Sequence, residues 1–331
     1  LTMPSHDVMP NMELYQPVQV EDALALADRL AERGWLVGGG QDTYGWLKDR
    51  AKSVDALIDL SGIEALRGIR ETGDGIEIGA LTTLTEVASN ALIRDRYSLL
   101  ADAAGKVASP QIRNIGTLGG NVSQDVRCWY YRRGLSCYRA GGNLCYADTP
   151  QGMNRDHALF GGSRCVAANP SDTAPALVAL DATMVIRSSR GERTVSAQDY
   201  FVGPAVDIEH TTALRTGEIL TAVRIPATWA NATFYFEKVA DRNVWDFPLV
   251  NIAAAFKVSG GTIEDARIVC GAVECKPRRV TNVENAIRGQ AKNAATAESV
   301  AAMATDGARV LAHNGFKVPL MQNLVRRAIS A

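Results

Sequence analysis

Four of the six cysteines, Cys128, Cys137, Cys145 and Cys165, fall within one stretch that lacks a regular apolar pattern. Cys270 and Cys275 lie far downstream. Residues 134–163 are glycine-dense, polar and irregular. An unstructured segment this long inside a domain is uncommon and is usually functional. A functional loop between two ordered parts is therefore expected. The chain has 331 residues, enough for about two domains of ordinary size. Each can bury a core without disulfide staples.

Residues 1–11 are polar and aperiodic, with neither the basic start nor the apolar core of a secretion signal. They read as a loose tail. The expected compartment is cytoplasmic, or one reached by export with a signal-bearing partner. In a reducing compartment, clustered cysteines are more often metal ligands or redox thiols than disulfides. The formal net charge is -1, which argues against a nucleic-acid binder. No apolar run approaches the roughly 20 residues that span a bilayer.

Around the loop, the apolar spacing predicts mixed layers. Ala23, Leu24, Ala27 and Leu30 place a helix over 21–33, with Gly34 as its C-terminal cap. Short strands are expected over 35–37, 56–60 and 76–78, and helices from 44 and over 92–107. Regular apolar pattern resumes at 174–186, and a strand over 219–225 stops at Pro226. Residues 228–232 are a candidate linker. Beyond it the pattern reads as strands over 234–239, 251–258 and 263–273, then helices over 294–311 and 320–329. That is an α+β chain whose smaller C-terminal domain sets helices on one side of an antiparallel sheet.

Two glycine-rich turns carry the binding signal. Gly38, Gly39 and Gly40 follow the strand ending at Val37 and lead into Gln41, Asp42 and Thr43. Without Cβ atoms, such a turn can bring several backbone N–H groups close to an anion such as a pyrophosphate. It can equally be a turn that only needs positive φ. The spacing fits neither the nicotinamide-binding nor the Walker fingerprint. A second turn, Gly116-Thr117-Leu118-Gly119-Gly120-Asn121, follows Ser109-Pro110-Gln111-Ile112-Arg113-Asn114. Two such loops could clamp the ends of a dinucleotide.

The cysteines are spaced C-x8-C-x7-C-x19-C. Zinc sites usually come as close pairs, and none is present. Four thiolates suit a [4Fe–4S] cluster, which takes one per iron and tolerates varied spacing. Arg127, Arg132, Arg133 and Arg139 would offset its negative charge. The plainer alternative is buried or free thiols beside a solvated basic face. Cys270 and Cys275 read as structural, and His157 as an exposed loop residue or a group behind the cluster ligands. No nucleophile elbow, zinc-protease motif or paired acids occur.

The glycine triplet, Ile78-Gly79-Ala80-Leu81-Thr82-Thr83, the 109–121 stretch, and Asn169-Pro170-Ser171-Asp172-Thr173-Ala174-Pro175-Ala176-Leu177 together resemble a known family. So do Gly217-Glu218-Ile219-Leu220 and Phe236-Glu237-Lys238-Val239. They resemble the FAD-binding subunit of molybdenum hydroxylases, the group of xanthine dehydrogenase, aldehyde oxidoreductase, carbon monoxide dehydrogenase and 4-hydroxybenzoyl-CoA reductase. The likeness runs in order from Leu14 onward. It implies a two-part FAD-binding region (the PCMH-type FAD fold) over 12–227 and a C-terminal flavoprotein domain over 228–331.

It also implies that Val37 to Thr43 hold the FAD pyrophosphate and that Thr117, Gly120 and Asn121 meet the cofactor from the second loop. Asp172 and Lys238 correspond to positions near the ribityl chain or flavin ring, and Ile112 and Ile225 to apolar flavin contacts. Gln41-Asp42 stands where the close family more often has a small hydroxyl or amide pair. No histidine is there for covalent attachment, so dissociable FAD is implied. The run Arg127-Cys128-Trp129-Tyr130-Tyr131 with three later cysteines resembles the subset whose insert, here about 122–168, binds [4Fe–4S]. The partners implied are a molybdopterin-binding large subunit and a [2Fe–2S] small subunit, with a ferredoxin-like carrier as a further partner. The implied function is electron transfer within an oxidoreductase. Its rivals are a stand-alone FAD-dependent oxidoreductase and a zinc-stapled scaffold.

Overall fold

The computed structural model describes residues 8–331. Most of the expected tail lies outside the described residues. Three sheets organise the chain. The first is a small parallel sheet of β1 (Glu13–Tyr15), β2 (Gly34–Val37) and β3 (Ala56–Asp59), with β3 in the middle. The helix Val20–Leu30 covers it, burying Val20, Ala23, Leu24, Ala27 and Leu30 against Ile58 and Leu60. That stripe recurs every three or four residues, as a half-buried helix requires.

This helix does not end as the sequence suggests. Ala31 takes the positive φ of 49° that closes it, and Gly34 is extended at the start of β2. A Cβ on Gly34 would meet Leu30 Cβ at 2.9 Å. The glycine is there for close packing, not for a left-handed cap.

The second sheet adds β4 (Ile69–Thr72), β5 (Gly75–Gly79), β6 (Thr183–Ser188), β7 (Gly191–Ser196) and β8 (Ile219–Pro226). Its order is β4-β5-β8-β6-β7, with every pair antiparallel. The helices Leu84–Ser89, Ser98–Gly105, Leu118–Ser123 and Thr173–Ala179 share its core. The helix expected over 92–107 is two pieces, Ala91–Arg96 and Ser98–Gly105, broken at Tyr97. Tyr97 is fully buried with an irregular backbone (φ -140°, ψ 46°), which turns its ring into the core.

The third sheet holds β9 (Thr233–Val239), β10 (Val250–Ser259), β11 (Thr262–Gly271) and β12 (Arg278–Arg279), in the order β12-β11-β10-β9. Both faces of β10 are buried. Ile252, Ala254 and Phe256 face the helices Thr281–Ile287, Ala294–Val300 and Lys317–Ser330, while Ala253 and Ala255 join the core of the second sheet. Period-two alternation thus fuses the C-terminal unit to the rest of the chain. The expected linker is pinned too. Trp229 is fully buried and its Nε1 donates to Asp181 Oδ2 at 2.7 Å. Among the described residues, no helix is long and apolar enough to cross a membrane.

Candidate functional site

A cleft of about 450 Å³ opens where the first glycine loop leaves β2 and meets the second. The carboxyl end of a parallel strand is where α/β units commonly place ligands. The two loops touch through backbone. A Cβ on Gly39 would lie 2.3 Å from Ile115 O and 2.9 Å from Gly116 Cα, and one on Gly38 would lie 2.9 Å from Thr117 Oγ1. Of the triplet, only Gly40 has positive φ (70°). The simple-turn explanation therefore accounts for one glycine, and loop-to-loop contact for the other two. Among the described residues, the backbone N–H groups of residues 39–43 donate to no protein group. An anion is the natural partner for such a set.

The second loop is held from below. Thr117 Oγ1 accepts from Gly120 N at 3.1 Å and starts the helix Leu118–Ser123. Asn121 Oδ1 accepts from Ser171 Oγ and Thr173 Oγ1, both at 2.6 Å. Its carbonyl is thereby occupied, and its amide NH2 remains for the cleft.

Gln41, Asp42, Thr43, Ile112 and Asp172 line the cleft together with Gly38, Gly39, Gly40, Thr117, Gly120 and Asn121. Three expected positions do not line it. Val37 packs beneath the loop with Leu47 and Leu57. Ile225 lies in the main hydrophobic core, paired across the sheet with Ile76. Lys238 reaches the site only through Asp172, donating to its Oδ2 at 2.6 Å and to Lys106 O at 3.0 Å.

Asp172 is buried, and its Oδ1 also accepts from Asn251 Nδ2 at 2.9 Å. Burial pushes its carboxyl above the usual carboxylate range, and Lys238 and Asn251 offset part of that. Asn251 Oδ1 is buried without a partner. Asn251 carried no local sequence signal, because only the β9–β10 pairing sets it under Asp172. Trp245, Asp246 and Phe247, from the β9–β10 connection, and His210 also line the cleft and were equally silent.

Asp42 ties this cleft to the cysteine loop. It accepts from Arg127 Nη1 at 2.8 Å, from Arg132 Nη1 at 2.9 Å and from Trp46 Nε1 at 3.0 Å. An acid at this position is explained by the two arginines that flank Cys128.

Cys128, Cys137, Cys145 and Cys165 all line one small void, with His157, Arg139, Tyr131 and Tyr146. All six cysteines are free thiols. The loop is irregular, as the sequence implies, yet packed: Asn154, His157, Leu159 and Phe160 are buried. Burial pushes the Cys128 thiol up to about 12. His157 is not an exposed loop residue. Its Nε2 lies 3.3 Å from Cys128 Sγ, its Nδ1 is buried without a partner, and burial lowers its pKa to about 4. Cys275 belongs to this cluster rather than to an isolated turn, since Arg139 bonds both it and Cys165. Cys270 lies in the core on β11. Among the described residues, no three His, Cys, Asp or Glu side chains are grouped to hold a metal ion.

Comparison with known proteins gives the class to which this fold belongs. Residues 10–228 match the FAD binding domain in molybdopterin dehydrogenase, and residues 235–331 match the CO dehydrogenase flavoprotein C-terminal domain. The chain belongs to this family of FAD-binding subunits. It is 32% identical to the aldehyde oxidoreductase FAD-binding subunit PaoB of Escherichia coli, over 80% of this chain and 83% of that one. It is 27% identical to the carbon monoxide dehydrogenase medium chain of Hydrogenophaga pseudoflava, over 98% of both. Carbon monoxide dehydrogenase from Hydrogenophaga pseudoflava, solved without the Mo-pyranopterin moiety, superposes with a TM-score of 0.76 at 26% identity, covering 97% of each chain.

Proposed function

We propose that the chain is the electron-transfer flavoprotein subunit of a heteromeric molybdenum-containing hydroxylase. In this reading it passes electrons between a [2Fe–2S] small subunit, its own FAD and an external, ferredoxin-like carrier. A molybdopterin-binding large subunit turns over the substrate. Residues 12–227 form the FAD-binding part, with the cysteine loop at about 122–168, and residues 228–331 the C-terminal part. The observation that carries the reading is the pair of glycine loops in backbone contact, with the N–H groups of residues 39–43 unpartnered at the cleft.

Bound FAD would supply the exchange between one- and two-electron transfer. The chain's own residues do the holding. Gly38 to Thr43 offer N–H donors to the pyrophosphate, and Thr117, Gly120 and Asn121 close the other side. Asp172, fixed by Lys238 and Asn251, presents a rigid polar floor. The four cysteines suit a [4Fe–4S] cluster by donor chemistry, since each iron takes one thiolate. The open part of their void is about 10 Å³, room for roughly one water, so seating a cluster requires the loop to spread.

A stand-alone FAD-dependent oxidoreductase has one candidate acid–base couple. His210 lines the cleft, with its Nδ1 2.9 Å from Asp207 Oδ2. The test compares the isolated, FAD-loaded chain with the purified complex for oxidation of aldehydes and purines by an artificial acceptor. Turnover by the complex alone is expected. Turnover by the isolated chain, lost in His210→Ala, would overturn the subunit reading.

A further inference from the structure

Trp245 is held in a conformation that a bulky side chain rarely adopts. Its φ is 75°, in the left-handed region where a residue of this size is an outlier. Strain of this kind persists only where the surroundings impose it, and it clusters at ligand sites. Here it secures no packing within the chain. The indole is 59% exposed, and among the described residues it makes no hydrogen bond, ring contact or cation contact. It nonetheless lines the cleft between the glycine loops.

The connection between β9 and β10, residues 240–249, is braced to present it. Leu249 N donates to Val239 O at 2.8 Å and closes the base. Arg242 clasps Asp246 across the tip, its N donating at 2.8 Å and its Nε at 3.0 Å to the carboxylate. Trp245 N donates to Ala108 O at 2.8 Å, and Arg127 lies 4.4 Å from the Phe247 ring centroid. The strand before the connection carries Lys238 and the strand after it Asn251, which together hold Asp172. One hairpin thus brings a polar floor and an indole to the same cleft. Beside Ala108 the cleft is lined by Leu84, Val107 and Ile112. That surface is apolar, and the isoalloxazine is the broadest ring of FAD and the one that carries methyl groups. Trp35, the cleft's other tryptophan, already has Lys52 Nζ 5.2 Å from its ring centroid.

We propose that Trp245 is a ring-contact residue, whose indole packs against the isoalloxazine of bound FAD and covers it from solvent. This rests on the FAD reading of the cleft. Aromatic contact then offsets the backbone strain in the loaded protein, where the empty cleft leaves the indole in water.

The test titrates the deflavinated full chain with FAD and, separately, with ADP, which lacks the flavin ring. Trp245→Ala should weaken FAD about tenfold, as expected for one lost stacking partner, and leave ADP affinity unchanged. Indole in contact with a flavin quenches its emission, so FAD bound to Trp245→Ala should also fluoresce more strongly than in wild type. Trp245→Phe should regain most of the affinity while emission stays high, because benzene is a poor electron donor. FAD affinity and emission both within about twofold of wild type in Trp245→Ala would overturn the contact. Equal losses for FAD and ADP would overturn it too, since the indole would then serve the shared half of the ligand or the fold. Should Trp245→Ala fail to fold, wild-type chain labelled with 5-fluorotryptophan decides, its Trp245 resonance assigned as the one missing from Trp245→Phe. A shift of that resonance with FAD and not with ADP supports the proposal, and no shift with FAD overturns it. Wild-type chain that binds neither ligand would instead overturn the FAD reading beneath it.

Discussion

Gly39→Ala separates a glycine chosen for a cofactor site from one chosen for a simple turn. Gly39 is not in the left-handed region, so the substitution adds no backbone strain there. The cost is steric. The new methyl would sit 2.3 Å from Ile115 O and 2.8 Å from Ile115 C. Comfortable contact needs about 3.5 Å, so the loops must part by about 1 Å. Both contact atoms are backbone, and no rotamer change relieves them. Overpacking of this kind costs about 1–3 kcal/mol. If FAD spans both loops, much of that strain is felt when the cofactor must bridge the wider gap. Affinity should then fall about 10- to 100-fold, at roughly 1.4 kcal/mol per tenfold. The assay is fluorescence titration of the deflavinated chain with FAD, alongside urea unfolding of the FAD-free form. Gly73→Ala, where a Cβ meets nothing within 4 Å, is the control. Unchanged FAD affinity in Gly39→Ala despite lower FAD-free stability would refute the bridging geometry.

Cys137→Ser should lower iron content while leaving flavin bound, and unchanged iron would remove Cys137 from the ligand set. Lys238→Met leaves the buried Asp172 without its cation and should cost about 3–5 kcal/mol in unfolding free energy. Adding Asp172→Asn should recover much of that, and strictly additive losses would contradict the pairing. Lys317 is fully buried, and its Nζ donates to the carbonyls of Asp156 and Ala272. Burial lowers its pKa from 10.5 to about 8. Between these values the unfolded chain binds more protons than the native one, so this group's contribution to stability rises with pH. Relative to Lys317→Met, wild type should therefore gain up to about 3 kcal/mol from pH 8 to pH 10.5. A flat difference in denaturation midpoints would refute the assignment.

Much of the site was legible because it is local. The glycine loops announce themselves by residue type, and the strand before them by its apolar run. β10 reads as a strand from its apolar run, but the sequence does not show that its second face is buried against another sheet. What stayed silent depends on distant partners. Asn251 matters because β10 carries it beneath Asp172, and Trp245 and Phe247 because the β9–β10 connection reaches the cleft. Cys275 looks isolated until Arg139 is seen to bridge it to Cys165. Gly34 misled for a physical reason: glycine serves both left-handed caps and tight packing, and sequence alone does not separate them. Ile225 illustrates the converse limit, since an apolar residue suited to a flavin contact is equally suited to the core that holds it.

On the proposed reading, one chain carries both a dissociable flavin and an iron–sulfur centre, and Asp42 pairs with the two arginines beside Cys128. Anaerobic purification of the chain, followed by analysis of flavin, iron, acid-labile sulfide and zinc, tests it most directly. The account predicts one FAD, released on denaturation, and about four irons with matching sulfide per chain. A colourless chain with stoichiometric zinc and no flavin would contradict it.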